Sequence, residues 1–320
     1  MAAQPTSHRL DVPGAQLYYE VRGSGPLLLV VGQPMTSGPF GPLADLLADR
    51  YTVVTYDPHG VGESTVDDPS LPVTPEVEAD DLANIIDAVG GGPADVFGSS
   101  GGAVAGLALA VRHPDKVRTV IAHEPPVTEL LPDAPHIRAV VDGIEDAYRA
   151  YGTGAGWGKF VSLVMHDGPV TEAGVAPVTW PPAGAEDQGS EASESQDAAG
   201  SDGQDAAGDD AEASQVPPAP SEKQQADDDL FFLRMLKPFT RYEPVVDALR
   251  SGAPRVVIGV GDTSSEQIAA RSSAALAEQL GTTPTPFPGD HGGFMADPVG
   301  FARTISEVLS ETAAESKPSA

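Results

Sequence analysis

Short runs of contiguous apolar residues recur along the chain, separated by stretches in which apolar positions fall three and four residues apart. Leu27-Leu28-Leu29-Val30-Val31 and Val256-Val257-Ile258 show no polar side, as strands covered on both faces require. Together with runs at 17–21, 52–56, 94–97, 117–122 and 285–287 they predict a mostly parallel sheet, with helices at 40–50, 76–90, 101–113, 265–280 and 297–311 between the strands. This is an α/β chain. After residue 122 the alternation stops for about 130 residues. Within that gap Ile137, Val140, Val141, Ile144, Tyr148 and Tyr151 keep helical spacing, and 230–236 forms a second apolar cluster, so a helical lid is expected over 125–250.

Charge divides the lid. Residues 181–229 carry 14 acidic side chains against Lys223 alone, which places −13 of the net charge of −29 in one stretch. With almost nothing to bury, 181–228 is expected to be a disordered acidic insertion. The predicted organisation is a core from 1–124 and 251–312, the lid between them and a flexible tail at 313–320. Clustered Lys and Arg are absent, which argues against nucleic-acid binding. No run reaches the roughly 18 apolar residues of a membrane span, and the first residues lack an apolar leader, so a soluble cytoplasmic protein is expected, with no membrane partner. The sequence does not indicate an oligomeric state. There are no cysteines, which removes thiolate metal sites and cysteine nucleophiles and leaves hydroxyl, carboxylate and imidazole chemistry.

One junction carries the strongest chemical signal. The strand at 94–97 feeds Gly98-Ser99-Ser100-Gly101-Gly102 and then an Ala-rich helical run, giving a Gly-x-Ser-x-Gly pentapeptide centred on Ser100. Small flanking residues let strand and helix close into a sharp turn that projects the serine from the sheet edge. A serine hydroxyl needs a base, and the base a carboxylate. His291, in Pro288-Gly289-Asp290-His291-Gly292-Gly293, follows the last expected strand and is the candidate base. His8, His59, His113, His123, His136 and His166 lack that combination of strand-end loop and late position. Two acids compete for the third place, Glu124 after the strand at 117–122 and Asp262 after the strand at 255–260. Asp290 adjoins His291 and cannot readily turn back to orient its ring.

The pattern resembles the α/β-hydrolase fold family, whose triad runs Ser, acid, His along the chain. The resemblance covers about 8–125 and 250–312. Tyr56-Asp57-Pro58-His59-Gly60-Val61-Gly62-Glu63-Ser64 is similar to the family's Asp-x-Arg-Gly-x-Gly-x-Ser turn, with His59 in place of arginine. Val31-Gly32-Gln33-Pro34 is similar to its His-Gly-x-Pro turn, with Val31 in place of histidine. The family's usual acid position falls on Ser264, leaving that slot empty. A minority of members carry the acid after the strand that follows the elbow, which implies Glu124 in preference to Asp262. The oxyanion donors implied are the N–H of Gly101 and that of Gln33, because Pro34 has none. The Gln33 side chain is a candidate to face the pocket.

The resemblance implies a serine hydrolase acting on a small carboxylic ester or related acyl compound through an acyl-enzyme, without metal or cofactor. A perhydrolase or C–C bond hydrolase would use the same Ser and His. Dehalogenase and epoxide chemistry require a carboxylate where Ser100 stands. A dinucleotide-binding turn fits poorly, because the glycines at 98, 101, 102 and 106 do not form Gly-x-Gly-x-x-Gly. A non-catalytic binding protein on this scaffold would be marked by a broken triad.

Overall fold

The apolar runs become strands because each must bury side chains on both faces. A computed structural model describes residues 4–178, 220–251 and 253–315. Among them one nine-stranded sheet contains β1 (Thr6–Val12), β2 (Ala15–Gly23), β3 (Leu27–Val31), β4 (Thr52–Tyr56), β5 (Thr65–Val66), β6 (Ala94–Ser99), β7 (Val117–His123), β8 (Arg255–Gly261) and β9 (Thr285–Phe287). The order is β1-β2-β4-β3-β6-β7-β8-β9, with β5 on β2. From β4 through β9 every pairing is parallel, whereas β1, β2 and β5 pair antiparallel. β1 and β5 were not legible as apolar runs, since neither has a buried residue.

The helices are α1 (Gly41–Leu47), α2 (Pro75–Val89), α3 (Gly101–Arg112), α4 (Ala134–Tyr151), α5 (Thr153–Val164), α6 (Glu222–Leu230), α7 (Leu236–Thr240), α8 (Val246–Leu249), α9 (Ile268–Leu280), α10 (Gly293–Ala296) and α11 (Pro298–Glu315). β3 shows how the two-sided core arises. Its residues Leu27, Leu29 and Val31 enter one apolar cluster with α2, α3 and α9, while Leu28 and Val30 enter the other with α1, α10 and α11. This is the two-residue strand period applied to a run that is apolar on both sides. Each such side chain, fully buried, contributes roughly 1.5–3 kcal/mol.

The register decides where chemistry can collect. Val31 lies opposite Gly98, Ser99 opposite His123, His123 opposite Gly259, and Gly261 opposite Phe287. The loops after β3, β6, β7, β8 and β9 therefore emerge along one carboxyl edge, the usual place for ligands on an open α/β sheet.

The lid is helical, with a revision at its acidic end. Residues 181–219 of the expected insertion lie outside the described residues, but 220–228 do not, and the chain enters α6 at Glu222. The reason is local partnering. Ser221 caps the helix by accepting from the Gln224 N–H, Trp157 donates to Asp228 at 3.0 Å, and Tyr148 donates to Asp229 at 2.5 Å. Acids that look solvated in the sequence are thus held by lid side chains. A π-helical turn at Phe231–Met235 joins α6 to α7 and buries Phe231, Phe232 and Met235. Asp133, ahead of α4, ties the lid to α9 by pairing with Arg271 at 2.6 Å and accepting from Val170 N–H at 2.7 Å. No helix among the described residues is long and apolar enough to cross a membrane.

Candidate active site

Ser100 stands where β6 breaks into α3, with φ 54° and ψ −123°. That conformation is costly for a side-chain-bearing residue and is held by its surroundings. The Ser100 N–H donates to His123 O at 2.9 Å, and the Ser100 carbonyl accepts from Ala103 and Val104 in the first turn of α3. Gly101 is required by a close approach, since a Cβ there would lie 2.7 Å from the Gln33 carbonyl oxygen. The elbow and the turn after β3 are therefore packed backbone to backbone, with the N-terminus of α3 directed at the space between them. The neighbouring Ser99 is fully buried and meets His123 Nδ1 at 3.1 Å. Ser100 is the serine that faces the cavity.

The structure brings Glu124 and His291 together and leaves Asp262 apart. His291 Nδ1 lies 2.6 Å from Glu124 Oε2, and the other carboxylate oxygen accepts from the Gly261 N–H at 2.9 Å. Glu124 also has positive φ, 50°, which turns its side chain back across the sheet edge, and its N–H donates to Gly259 O. Burial opposes its ionisation, but the His291 hydrogen bond and charge outweigh this and bring its pKa down to about 2. Asp262 is exposed and accepts from Gly289 N–H at 2.9 Å, bracing the loop that carries His291. Ser264, in the slot expected to be empty, is fully buried.

Ser100 and His291 line one cavity of about 70 Å³ together with Gln33, Gly101 and a set of apolar lid side chains. Phe160, Leu163, Phe231, Met235, Leu236 and Phe239 come from the lid, and Ile268 and Ala269 from α9. Among the described residues no Lys, Arg, Asp or Glu lines it. Its two threonines are already occupied as donors, Thr128 to Thr240 O and Thr240 to Leu236 O.

Gln33 lines the cavity and also reaches into a buried network behind it. Its backbone stands on the turn beside Gly101, closed by Met35 N–H to Gly32 O at 2.8 Å, and its side-chain NH2 is engaged in that network, while Oε1 is buried with no partner among the described residues. Gln33 Nε2 donates to Glu78 Oε2 at 2.8 Å and to the Tyr56 hydroxyl, which itself donates to Glu78. Glu78 Oε1 accepts from His59 N–H at 3.0 Å, and His59 Nδ1 lies 2.7 Å from Asp81. The His59 position, where the family turn has arginine, is thus a junction between two buried carboxylates of α2. Sequence reading missed this network, although acids at 78 and 81 on the helix face toward the core were a usable signal.

A family model described as the alpha/beta hydrolase fold matches residues 25–220. The chain belongs to the α/β-hydrolase fold family. Within that family it is 44% identical over 123 residues to the uncharacterized hydrolase YraK of Bacillus subtilis, a stretch covering 38% of this chain and 45% of that one. Over 117 residues it is 37% identical to the 2-(acetamidomethylene)succinate hydrolase of Mesorhizobium japonicum, covering 36% of this chain and 41% of that one. The matches thus span under half the length of these curated relatives. Among solved structures, a thermophilic esterase from Thermogutta terrifontis superposes with a TM-score of 0.62 at 18% identity, over 97% of this chain and 99% of that one. The crystal structure of E-2-(acetamidomethylene)succinate hydrolase gives 0.57 at 21% identity, over 96% of this chain and all of that one. These likenesses establish the fold.

Proposed function

We infer that the protein is a serine hydrolase that cleaves small, uncharged, apolar acyl esters through an acyl-enzyme. The observation that carries this reading is the Glu124–His291 pair opening onto the same cavity as Ser100. His291 takes the Ser100 proton as the hydroxyl attacks the carbonyl, then returns it to the leaving group; a water repeats the sequence to release the acid. Glu124, an acceptor only, holds the Nδ1–H tautomer and stabilises the imidazolium. The N–H groups of Gly101 and Gln33 receive the oxyanion, aided by the α3 dipole.

The cavity supports the substrate class. A substrate such as the succinate named for the Mesorhizobium relative would bring carboxylates into a space lined, among the described residues, by no Lys or Arg, where an unpaired charge is costly. At about 70 Å³ it is well below the roughly 300–1,000 Å³ of drug-sized ligand sites, so it takes a short acyl group with the lid in place. Labelling with a fluorophosphonate probe tests the nucleophile. Wild type is expected to be modified at Ser100 and Ser100→Ala to be unlabelled, with hydrolysis reduced by about 10⁵-fold. A nitrophenyl ester series tests the substrate: acetate and butyrate should exceed both the decanoate and the hemisuccinate. A folded wild type that takes no probe overturns the assignment, and preference for the hemisuccinate overturns the substrate class.

A further inference from the structure

The buried network behind Gln33 has no place in proton transfer, yet it grips the residue that offers the second oxyanion donor. We propose that Glu78 is a positioning residue of this active site, holding the turn after β3 in its oxyanion-binding geometry through the Gln33 amide. This rests on the hydrolase reading above.

The geometry is specific. Glu78 is fully buried and meets three donors: Gln33 Nε2, the Tyr56 hydroxyl and the His59 N–H. They come from three places, the turn after β3, the end of β4 and the turn that follows it. A single carboxylate therefore clamps the oxyanion turn to the sheet edge. All three groups donate, so the arrangement suits the ionised acid; a proton on either oxygen displaces one of them. The groups facing Glu78 are Tyr56, His59 and Gln33, with Asp81 one turn along α2; Asp57 and Asp67 act on Tyr56 and His59 from further out. Among the described residues no Lys or Arg hydrogen-bonds to Glu78. Burial and then Asp81 raise its pKa to about 7, which places its ionisation within the working range of a histidine-dependent hydrolase.

An oxyanion donor acts only if it is already in place when charge develops. Loosening the clamp therefore lowers kcat and leaves substrate binding in the apolar cavity largely unchanged. Glu78→Ala and Glu78→Gln, each checked for cooperative thermal unfolding, carry the test on nitrophenyl acetate. Glu78→Ala is expected to lower kcat about 30-fold with KM within about threefold, and Glu78→Gln, which keeps one acceptor oxygen but sets an NH2 against the remaining donors, to lower it about tenfold, the level of the protonated wild type. Wild-type kcat should contain a roughly tenfold step between about pH 6 and 8 that the Glu78→Gln profile lacks. A merely structural glutamate would leave the profile unchanged. The proposal is overturned if Glu78→Ala keeps kcat within about threefold, or if wild type and Glu78→Gln share one pH profile; should Glu78→Ala not fold, the profile comparison decides. Failure of the hydrolase reading looks different, because wild type itself would then take no fluorophosphonate.

Discussion

Glu124 and Asp262 both stand at strand ends on the carboxyl edge, and what separates them is backbone conformation. Positive φ at Glu124 turns its carboxylate onto His291 Nδ1, whereas Asp262 spends its oxygen on the Gly289 N–H and faces solvent. In the proposed mechanism, Glu124→Gln replaces an acceptor by an amide that can favour the wrong imidazole tautomer. It is expected to lower kcat by about 10³–10⁴-fold with little change in KM. Asp262→Asn, which removes an exposed charge and leaves an amide oxygen able to accept from the Gly289 N–H, should stay within about threefold. Steady-state kinetics on a short-chain ester decides between them, and the reverse ranking would transfer the orienting role to Asp262. The placement of Ser100 and His291 at strand ends beside one cavity was legible because their local context, glycines beside a strand end, is written in adjacent residues. The Gln33 side chain was not, because its partner Glu78 lies 45 residues away and the two meet only through the packing of α2 against the sheet.

At the scale of elements, the strands of the parallel core could be read from apolar runs because both faces of that sheet are covered. β1 and β5 escaped because neither has a buried residue, and α5 because its Gly-rich start obscures the period. The lid depends on particular ties as well as apolar area. Asp133 and Arg271 join the start of α4 to α9, with side chains 9% and 12% exposed, and Asp133 also accepts from the Val170 N–H. Removing the cation leaves a largely buried carboxylate with reduced compensation, so Arg271→Ala is expected to cost about 3 kcal/mol of stability. Equilibrium urea unfolding measures this directly. A change below about 1 kcal/mol would mean that solvent reaches Asp133 and that the lid is held by its aromatic packing instead.

The whole molecule sums opposed titrations, and their windows separate them. Glu124, depressed to about 2, contributes stability that is present above its ordinary carboxylate pKa and is lost as pH falls through 2. His123 lies next to it with its pKa brought down to about 4, chiefly by burial; its neutral form favours the fold increasingly as pH rises from about 4 to its ordinary 6.5. Glu78 acts in the other sense. Its pKa is raised to about 7 by burial and by Asp81, so its contribution is complete below about 4.5 and is lost as pH rises through 7. His59 adds to that loss: burial opposes its charge, but its hydrogen bond to Asp81 prevails and raises its pKa, so its contribution declines as it deprotonates. Between about pH 4.5 and 6.5 these effects oppose one another, whereas above 6.5 the His123 contribution is complete and changes no further, and stability falls until Glu78 and His59 have lost their protons. Glu78→Gln removes the Glu78 part of that fall, so the Tm difference between wild type and variant should move against wild type as pH rises from about 4.5 to 7 and level off above. The ionised state that best clamps the oxyanion turn is then also the one that burdens the fold, a trade common where buried charge serves an active site. Parallel Tm curves for the two proteins across that range would show that Glu78 keeps one protonation state throughout, and would remove the link between clamping and stability.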